Sequence, residues 1–512
     1  MSTIRTALAC LLWATVSPML AADRYVDSAG SDAGDGSFGN PWRTLQHAAG
    51  EVGPGDRVIV APGAYAGFHL TASGAADNPI EFLGQGGALI NQQNPVTPDG
   101  INLEGASHVV VDGFTVVDMP RAGVRAVGNS SNFAEFVTVR NVVARDNFKW
   151  GIFTGFVDDL LIEQNETSGA EDEHGIYVSN SGDRPVIRNN EIWGNHANGI
   201  HINGDASLGG DGVISGAVVS SNVIYDNGQG GGSGINMDGV QDSRIENNLV
   251  YDTHASGISL YRIDGGAPST GNLVVNNTVH VADDGRWALN IQNASADNTV
   301  RNNILLNEHS FRGALDISSD SLSGLDSDHN IVISRFTTNG GNSVLNLAEW
   351  QSLTGGDANS LVDVPGDLFF DWTTGDYDLL PTASAIDAGA SAVAPATDLE
   401  GRPRPVGDGF YIGAVERSQF RADFNTDGAV DQLDLTQWQG DYGMNSFSDA
   451  DDDEDSDGRD FLFWQAEHPG PALSHDRGFA IPEPASIVLA LMAGVAVSGA
   501  RATRSAAKTS ER

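Results

Sequence analysis

Aligning the repeats of this chain places Phe153, Tyr177, His201, Asn236, Ser259, Asn290 and Asp316 in one outward column. Gly155, Ser179, Asn203, Asp238, Tyr261, Gln292 and Ser318 fall in its neighbour. From Tyr177 onward the strip is polar and aromatic without a break. A merely solvated face would carry Lys, Glu, Thr and Ser. Phenol, imidazole and amide groups donate and accept hydrogen bonds in fixed directions, as a hydroxyl-rich sugar polymer requires. An imidazole also titrates near neutral pH, and Asp238, diagonal to His201, can pair with it. The expected site therefore centres on His201, with Tyr177, Asn203, Asn236 and Asp238 around it and Tyr261, Arg262, Asn290 and Arg286 extending the binding surface. Lys149 is the only Lys between the two ends of the chain and stands two residues before Gly151, where Glu173, Arg286 and Arg312 hold equivalent places. Residues 204–212, with Asp205 and Asp211, and residues 264–271 are insertions expected to wall the strip. Asp205 is a candidate cation ligand.

These residues need a frame that repeats. Gly151-Ile152-Phe153-Thr154, Gly175-Ile176-Tyr177-Val178, Gly199-Ile200-His201-Ile202, Gly234-Ile235-Asn236-Met237, Gly257-Ile258-Ser259-Leu260, Ala288-Leu289-Asn290-Ile291 and Ala314-Leu315-Asp316-Ile317 follow one another at intervals of 24, 24, 35, 23, 31 and 26 residues. Strand-like alternation at such a period marks a solenoid whose turns bury their apolar positions against one another. A second register, Asn165, Asn190, Asn222, Asn248, Asn277 and Asn303, gives each coil an Asn suited to a left-handed turn and to hydrogen bonding along a stack. The fold class expected is all-β, a right-handed parallel β-helix.

The 62 Gly among 512 residues suit tight coils. Arg5, an apolar stretch from Ala7 to Val16 and Ala21-Ala22 read as a secretory signal peptide over 1–22, so the chain is expected to be exported. Cys10, the only Cys, lies within it, leaving a processed chain without disulfide or thiol nucleophile. A net charge of -41 argues against nucleic acid as a partner and requires any acidic polymer to meet a local cation.

Tyr25-Val26-Asp27-Ser28, Pro41-Trp42-Arg43-Thr44-Leu45 and Pro54-Gly55-Asp56 read as a cap with a short helix around Thr44 to Val52. Asp398-Leu399-Glu400-Gly401-Arg402-Pro403-Arg404 and Ile412-Gly413-Ala414-Val415-Glu416 read as a closing segment. With Glu173-His174-Gly175-Ile176-Tyr177 between them, residues 23–418 resemble the β-helix proteins of the pectate-lyase-like superfamily. The resemblance implies a polysaccharide lyase acting on a uronate-containing polymer by β-elimination. In that reading His201 or Lys149 takes the C5 proton, and Tyr177 serves the leaving oxygen. Arg262, or a Ca²⁺ held by Asp205 and Asp238, meets the carboxylate. An inverting glycoside hydrolase, a uronate epimerase and a non-catalytic glycan-binding scaffold remain alternatives.

Over 419–470 the composition turns acidic. Asp423, Asn425, Asp427, Gly428, Asp431 and Asp434 occupy positions 1, 3, 5, 6, 9 and 12 of a loop that a helix follows; Asp449, Asp451, Asp453, Glu454, Asp457 and Asp460 repeat it. Alternate oxygen ligands around a turn-forming Gly suit Ca²⁺, with the first loop expected to bind more tightly because Glu454 replaces that Gly. The segment resembles a dockerin type I module, which implies a cohesin-like partner. Pro482-Glu483-Pro484, an apolar run from Ala485 to Ala500 and Arg501, Arg504 and Lys508 make residues 480–512 resemble a PEP-CTERM sorting signal, implying transient membrane association.

Overall fold

The computed structural model describes residues 22–380, 382–416, 420–425, 429–450 and 455–468. The signal-peptide segment up to residue 21, the sorting segment 480–512, and the loop residues Asp427, Gly428, Asp451, Asp453 and Glu454 lie outside them. Among the described residues no helix is long and apolar enough to cross a membrane. The described chain divides between Glu416 and Phe420 into two compact units.

The first unit is a parallel β-solenoid of three sheets with twelve, eleven and twelve strands, each coil giving one strand to each sheet. Inside, Ile152, Ile176, Ile200, Ile235, Ile258, Leu289 and Leu315 stack as one fully buried column. Shortening any of them to Ala leaves a cavity between coils and costs about 2–5 kcal/mol. The Asn register forms a second internal ladder. Nδ2 of Asn165, Asn190, Asn222, Asn248, Asn277 and Asn303 each donates to Oδ1 of the next Asn, ending on Asn330, at 2.9 to 3.1 Å. The left-handed backbone belongs to the residue before the ladder Asn: Gln164, Asn189, Ser221, Asn247, Asn276 and Asn302 have φ between 52° and 57°. The turn thus splits two demands that the sequence assigns to one Asn.

A cap closes the N-terminal end. Its helix Leu45–Glu51 starts at Thr44, whose side chain accepts from the His47 N–H, and buries Leu45, Ala48 and Ala49. Toward the other end, Leu379, Tyr411 and Ile412 cover Leu249, Ile304 and Ile331. Arg404 and Glu416 form a fully buried ion pair in this closing segment. Arg404 also donates to Gly413 O and Ala414 O, both at 2.9 Å, and to Asn247 Oδ1 at 3.1 Å.

In the second unit the ninth and twelfth positions of the two acidic loops become helix caps. Asp431 and Asp434 form a capping box on Gln432–Asp441, and Asp457 and Asp460 form the same box on Gly458–Glu467. Trp438 donates its indole N–H to Asp457 O at 2.9 Å, and Trp464 donates to Asp431 O at 2.8 Å.

Candidate functional site

Pairing registers place Phe153, Tyr177, His201, Asn236, Ser259, Asn290 and Asp316 opposite one another on seven consecutive strands. Gly155, Ser179, Asn203, Asp238 and Tyr261 form the neighbouring column. Strands follow one another at roughly 4.8 Å, so the columns run along the solenoid axis.

At the N-terminal part of the strip His201 stacks on Tyr177, with ring centroids 4.8 Å apart and planes 7° from parallel. Its hydrogen-bond partner is His174, not Asp238: His201 Nδ1 lies 3.1 Å from His174 Nε2. The Asn198 backbone N–H donates to His174 Nδ1 at 3.2 Å. That bond fixes the tautomers in sequence. His174 keeps its proton on Nε2 and donates it to His201 Nδ1, and His201 carries its own proton on Nε2. Burial, with His201 and Lys149 adding to it, holds the His174 pKa well below the usual imidazole range, and burial pushes His201 down to about 3. The expected base therefore stands in the resting protein as a neutral N–H donor.

The other expected partners are engaged elsewhere. Lys149 Nζ is 2.5 Å from Glu173 Oε1 and 3.5 Å from Asp172 Oδ2, and the hydrogen bond to Glu173 raises its pKa. It is an ammonium group, unsuited to removing a proton. Asp238 accepts three backbone N–H bonds, from Ile263, Asp264 and Gly265 at 2.8 to 3.0 Å, and so anchors the wall loop. Asp205 caps a short turn through the Ser207 N–H at 2.7 Å, and its backbone bridges to Gly265. The carboxylates proposed for a cation thus build the wall. Arg262 Nε donates to Gly265 O in the same loop.

Two phenols share one arrangement. Asn203 Nδ2 donates to the Tyr177 hydroxyl at 3.1 Å, and Asn236 Nδ2 donates to the Tyr261 hydroxyl at 2.8 Å. Each phenol oxygen accepts, leaving its own O–H proton available. Burial raises both pKa values, with the Asp238 charge adding at Tyr261.

C-terminal to this cluster the strip opens into a groove of about 430 Å³ lined by Asn236, Tyr261, Arg286, Asn290, Arg312 and Asp316 among others. Tyr177, His201, Asn203, Lys149, Asp238 and Arg262 do not line it, so the open site lies two to three coils beyond the expected centre. Among the described residues neither Arg286 nor Arg312 is paired with a carboxylate; Arg312 Nη1 donates to Gly285 O at 2.7 Å. Asp316 is 5 % exposed, and burial raises its pKa. Its Oδ1 accepts from the Gly340 N–H at 3.4 Å. Arg312 shares the periodic position of Arg286, and Asp316 belongs to the aligned column. Both were legible as positions; neither stood out as a ligand. His174 is legible only as the residue before a repeat Gly.

In the second unit, carboxylate oxygens of Asp455, Asp457 and Asp460 lie within 4.8 Å of one another, the one such grouping among the described residues. An all-oxygen donor set at this separation fits a hard divalent cation such as Ca²⁺.

Residues 99–261 and 158–334 match the sequence family described as right handed beta helix region. No curated protein matches the chain by sequence. Among solved structures it is similar to pectate lyase Pel9A, at 15% identity and TM-score 0.55 over 77% of this chain and 96% of that one. It also aligns with an alginate lyase from Paenibacillus sp. str. FPU-7, at 19% identity and TM-score 0.41 over 53% of this chain and 94% of that one. A GH136 lacto-N-biosidase from Eubacterium ramulus aligns at 13% identity and TM-score 0.42 over 67% and 68%. The likeness to Pel9A speaks for the fold and not for a reaction. With the matched residues carrying the columns and the groove, the first unit is a right-handed parallel β-helix.

Proposed function

We propose that the protein acts on an extended acidic polysaccharide laid along the groove, and that it cleaves the polymer by β-elimination beside a uronate. The observation that carries this reading is the pair Arg286 and Arg312, two guanidiniums without a carboxylate partner among the described residues, facing a groove in a chain of net charge -41. Local cations on so acidic a protein are what draws a polyanion to one place. In the proposed step the C5–H bond breaks and its proton passes to Asp316. The C4=C5 double bond forms as C4–O4 breaks, and a water delivers a proton to O4. Arg286 and Arg312 hold the charge that grows on the carboxylate. The raised pKa of Asp316 favours proton uptake. An inverting hydrolase needs two facing carboxyl groups. Asp316 is the one carboxylate among the described lining residues, which supports elimination. Pectate lyase Pel9A has the same fold.

The test is ultraviolet absorbance of an unsaturated product from a panel of uronate polymers, with wild type and with Arg286→Ala/Arg312→Ala. Absorbance that rises with wild type and not with the double variant supports the reading. Polymer shortened without an absorbing product sinks elimination.

For the second unit we propose Ca²⁺ binding at the two acidic loops and docking to a cohesin-like partner. Export, followed by transient membrane association through residues 480–512, completes the reading. Mass spectrometry of protein from the native host, showing residues 1–22 removed, tests export.

A further inference from the structure

Beside Asn236, where the groove begins, three polar atoms are closed to solvent and lack a hydrogen-bond partner among the described residues: His201 Nε2, Asn203 Oδ1 and Asn236 Oδ1. Asn203 is 4 % exposed and Asn236 6 %. The three are contiguous, since His201 and Asn236 face each other across adjacent strands and Asn203 lies two residues along from His201. Each amide is oriented with Nδ2 toward its phenol, and in that orientation the unpartnered atoms are the oxygens. The His174 bond sets the third, a neutral N–H. Buried polar groups are ordinarily satisfied, and three orphans in one place mark a position for a bound group.

The chemistry of that group follows from the donors and acceptors. A carboxylate only accepts, and here it would face two amide oxygens. A hydroxyl donates and accepts, and two acceptors beside one neutral donor suit it. We infer that His201, Asn203 and Asn236 form a neutral hydroxyl-binding subsite, which holds a water in the free protein and a hydroxyl of an uncharged sugar residue when polymer is bound. This rests on the acidic-polysaccharide reading of the groove and narrows it. Asn236 and Asn290 are two strands apart, about 10 Å along the axis, so the neutral subsite and the Arg286/Arg312 pair meet different residues of one chain. The polymer is therefore a mixed one, with an uncharged residue close to a uronate, and not a homopolyuronate.

Calorimetric titration of the full chain with hexagalacturonate, cellohexaose and an alternating glucose–glucuronate hexasaccharide tests this. The mixed hexasaccharide should bind roughly tenfold tighter than hexagalacturonate. Asn203→Leu should bring that ratio close to one, and His201→Phe, which keeps the stack on Tyr177, should do the same if the first variant fails to fold. A high-resolution crystal structure should show a water on the three atoms in the free protein and a sugar hydroxyl there in the complex. A water that stays in the complex, with the ratio unchanged by either variant, overturns the sugar assignment. Failure of the acidic reading is separable: Arg286→Ala would then leave hexagalacturonate binding intact. Preferential binding of cellohexaose that Asn203→Leu abolishes would still uphold the neutral subsite.

Discussion

His174 Nε2 and His201 Nδ1 share one proton across 3.1 Å, and Asn198 decides that it belongs to His174. A pair of imidazoles stacked into a β-helix strip is thereby kept neutral, and its effect on stability has a definite sign. Both folded pKa values are depressed, so the unfolded chain binds protons first as pH falls. Stability is full above the unfolded value of about 6.5 and is lost progressively below it, toward the folded value of about 3 at His201. Between pH 6.5 and 4.5 His201 alone should cost the wild type about 2 kcal/mol, with His174 adding in the same direction. Urea denaturation of wild type and His201→Asn at both pH values checks it; equal losses in the two proteins would refute the neutral pair.

His254 is predicted to behave in the opposite way. Its Nε2 lies 2.9 Å from Asp226 Oδ1 and its Nδ1 2.9 Å from Asp284 Oδ2. Although burial opposes the charge, these hydrogen bonds raise its pKa overall. Their contribution is full below about pH 6.5 and fades as pH rises through the folded value. The Asp partners are largely exposed, so about 1 kcal/mol or less is expected. His254→Gln should lower the melting temperature at pH 6 and change it little at pH 9.

Arg404→Met should destabilise the first unit by about 3–5 kcal/mol, because it strands Glu416 as an uncompensated buried charge. Arg404→Met/Glu416→Leu should recover most of the loss. Denaturant midpoints of the three proteins are the measurement, and a single variant as stable as wild type would contradict the burial.

The groove and the His201 cluster make different kinetic predictions. Asp316→Asn, which removes the proposed base, should lower kcat by about 10²–10⁴. Tyr177 does not line the groove, so Tyr177→Phe should lower kcat far less. Initial rates on the cleaved polymer give the comparison. A larger loss for Tyr177→Phe would return the reacting centre to His201.

Chelation should lower the melting temperature of the second unit in the full chain. At a free Ca²⁺ concentration of about 100 times Kd the ion adds about 2.7 kcal/mol. Asp460→Ala, at a grouped and fully buried carboxylate, should weaken terbium luminescence titrations of the full chain. Unchanged melting in chelator and in Ca²⁺ would remove the loop assignment.

The solenoid was legible because its constraints repeat. From Gly151 to Ile317 each coil repeats a small residue before an aliphatic one, and an Asn recurs in register from Asn165, so the columns from Phe153 to Asp316 follow from alignment alone. The site was less legible because its decisive relations are made once. Nothing in the spacing shows that Asp238 turns to three loop amides or that His174 reaches His201 from beside the column, whereas Glu173 stands at the periodic place of Lys149 one coil on. A loop insertion sets the Asp238 contacts, and its path depends on packing that no period encodes.

The Asn ladder has a direction: every Nδ2 from Asn165 to Asn303 points to the following coil, and Asn330 passes the last bond to Asp357 Oδ1 at 3.3 Å. Asp357 in turn accepts from the Trp350 indole at 2.8 Å, so the chain of donors ends on a carboxylate terminator. A coil duplicated between Asn222 and Asn248 would bring its own donor and its own acceptor. The Asp357 terminator would stay as it is, which makes whole-coil duplication the low-cost route by which such a protein acquires a longer groove in evolution.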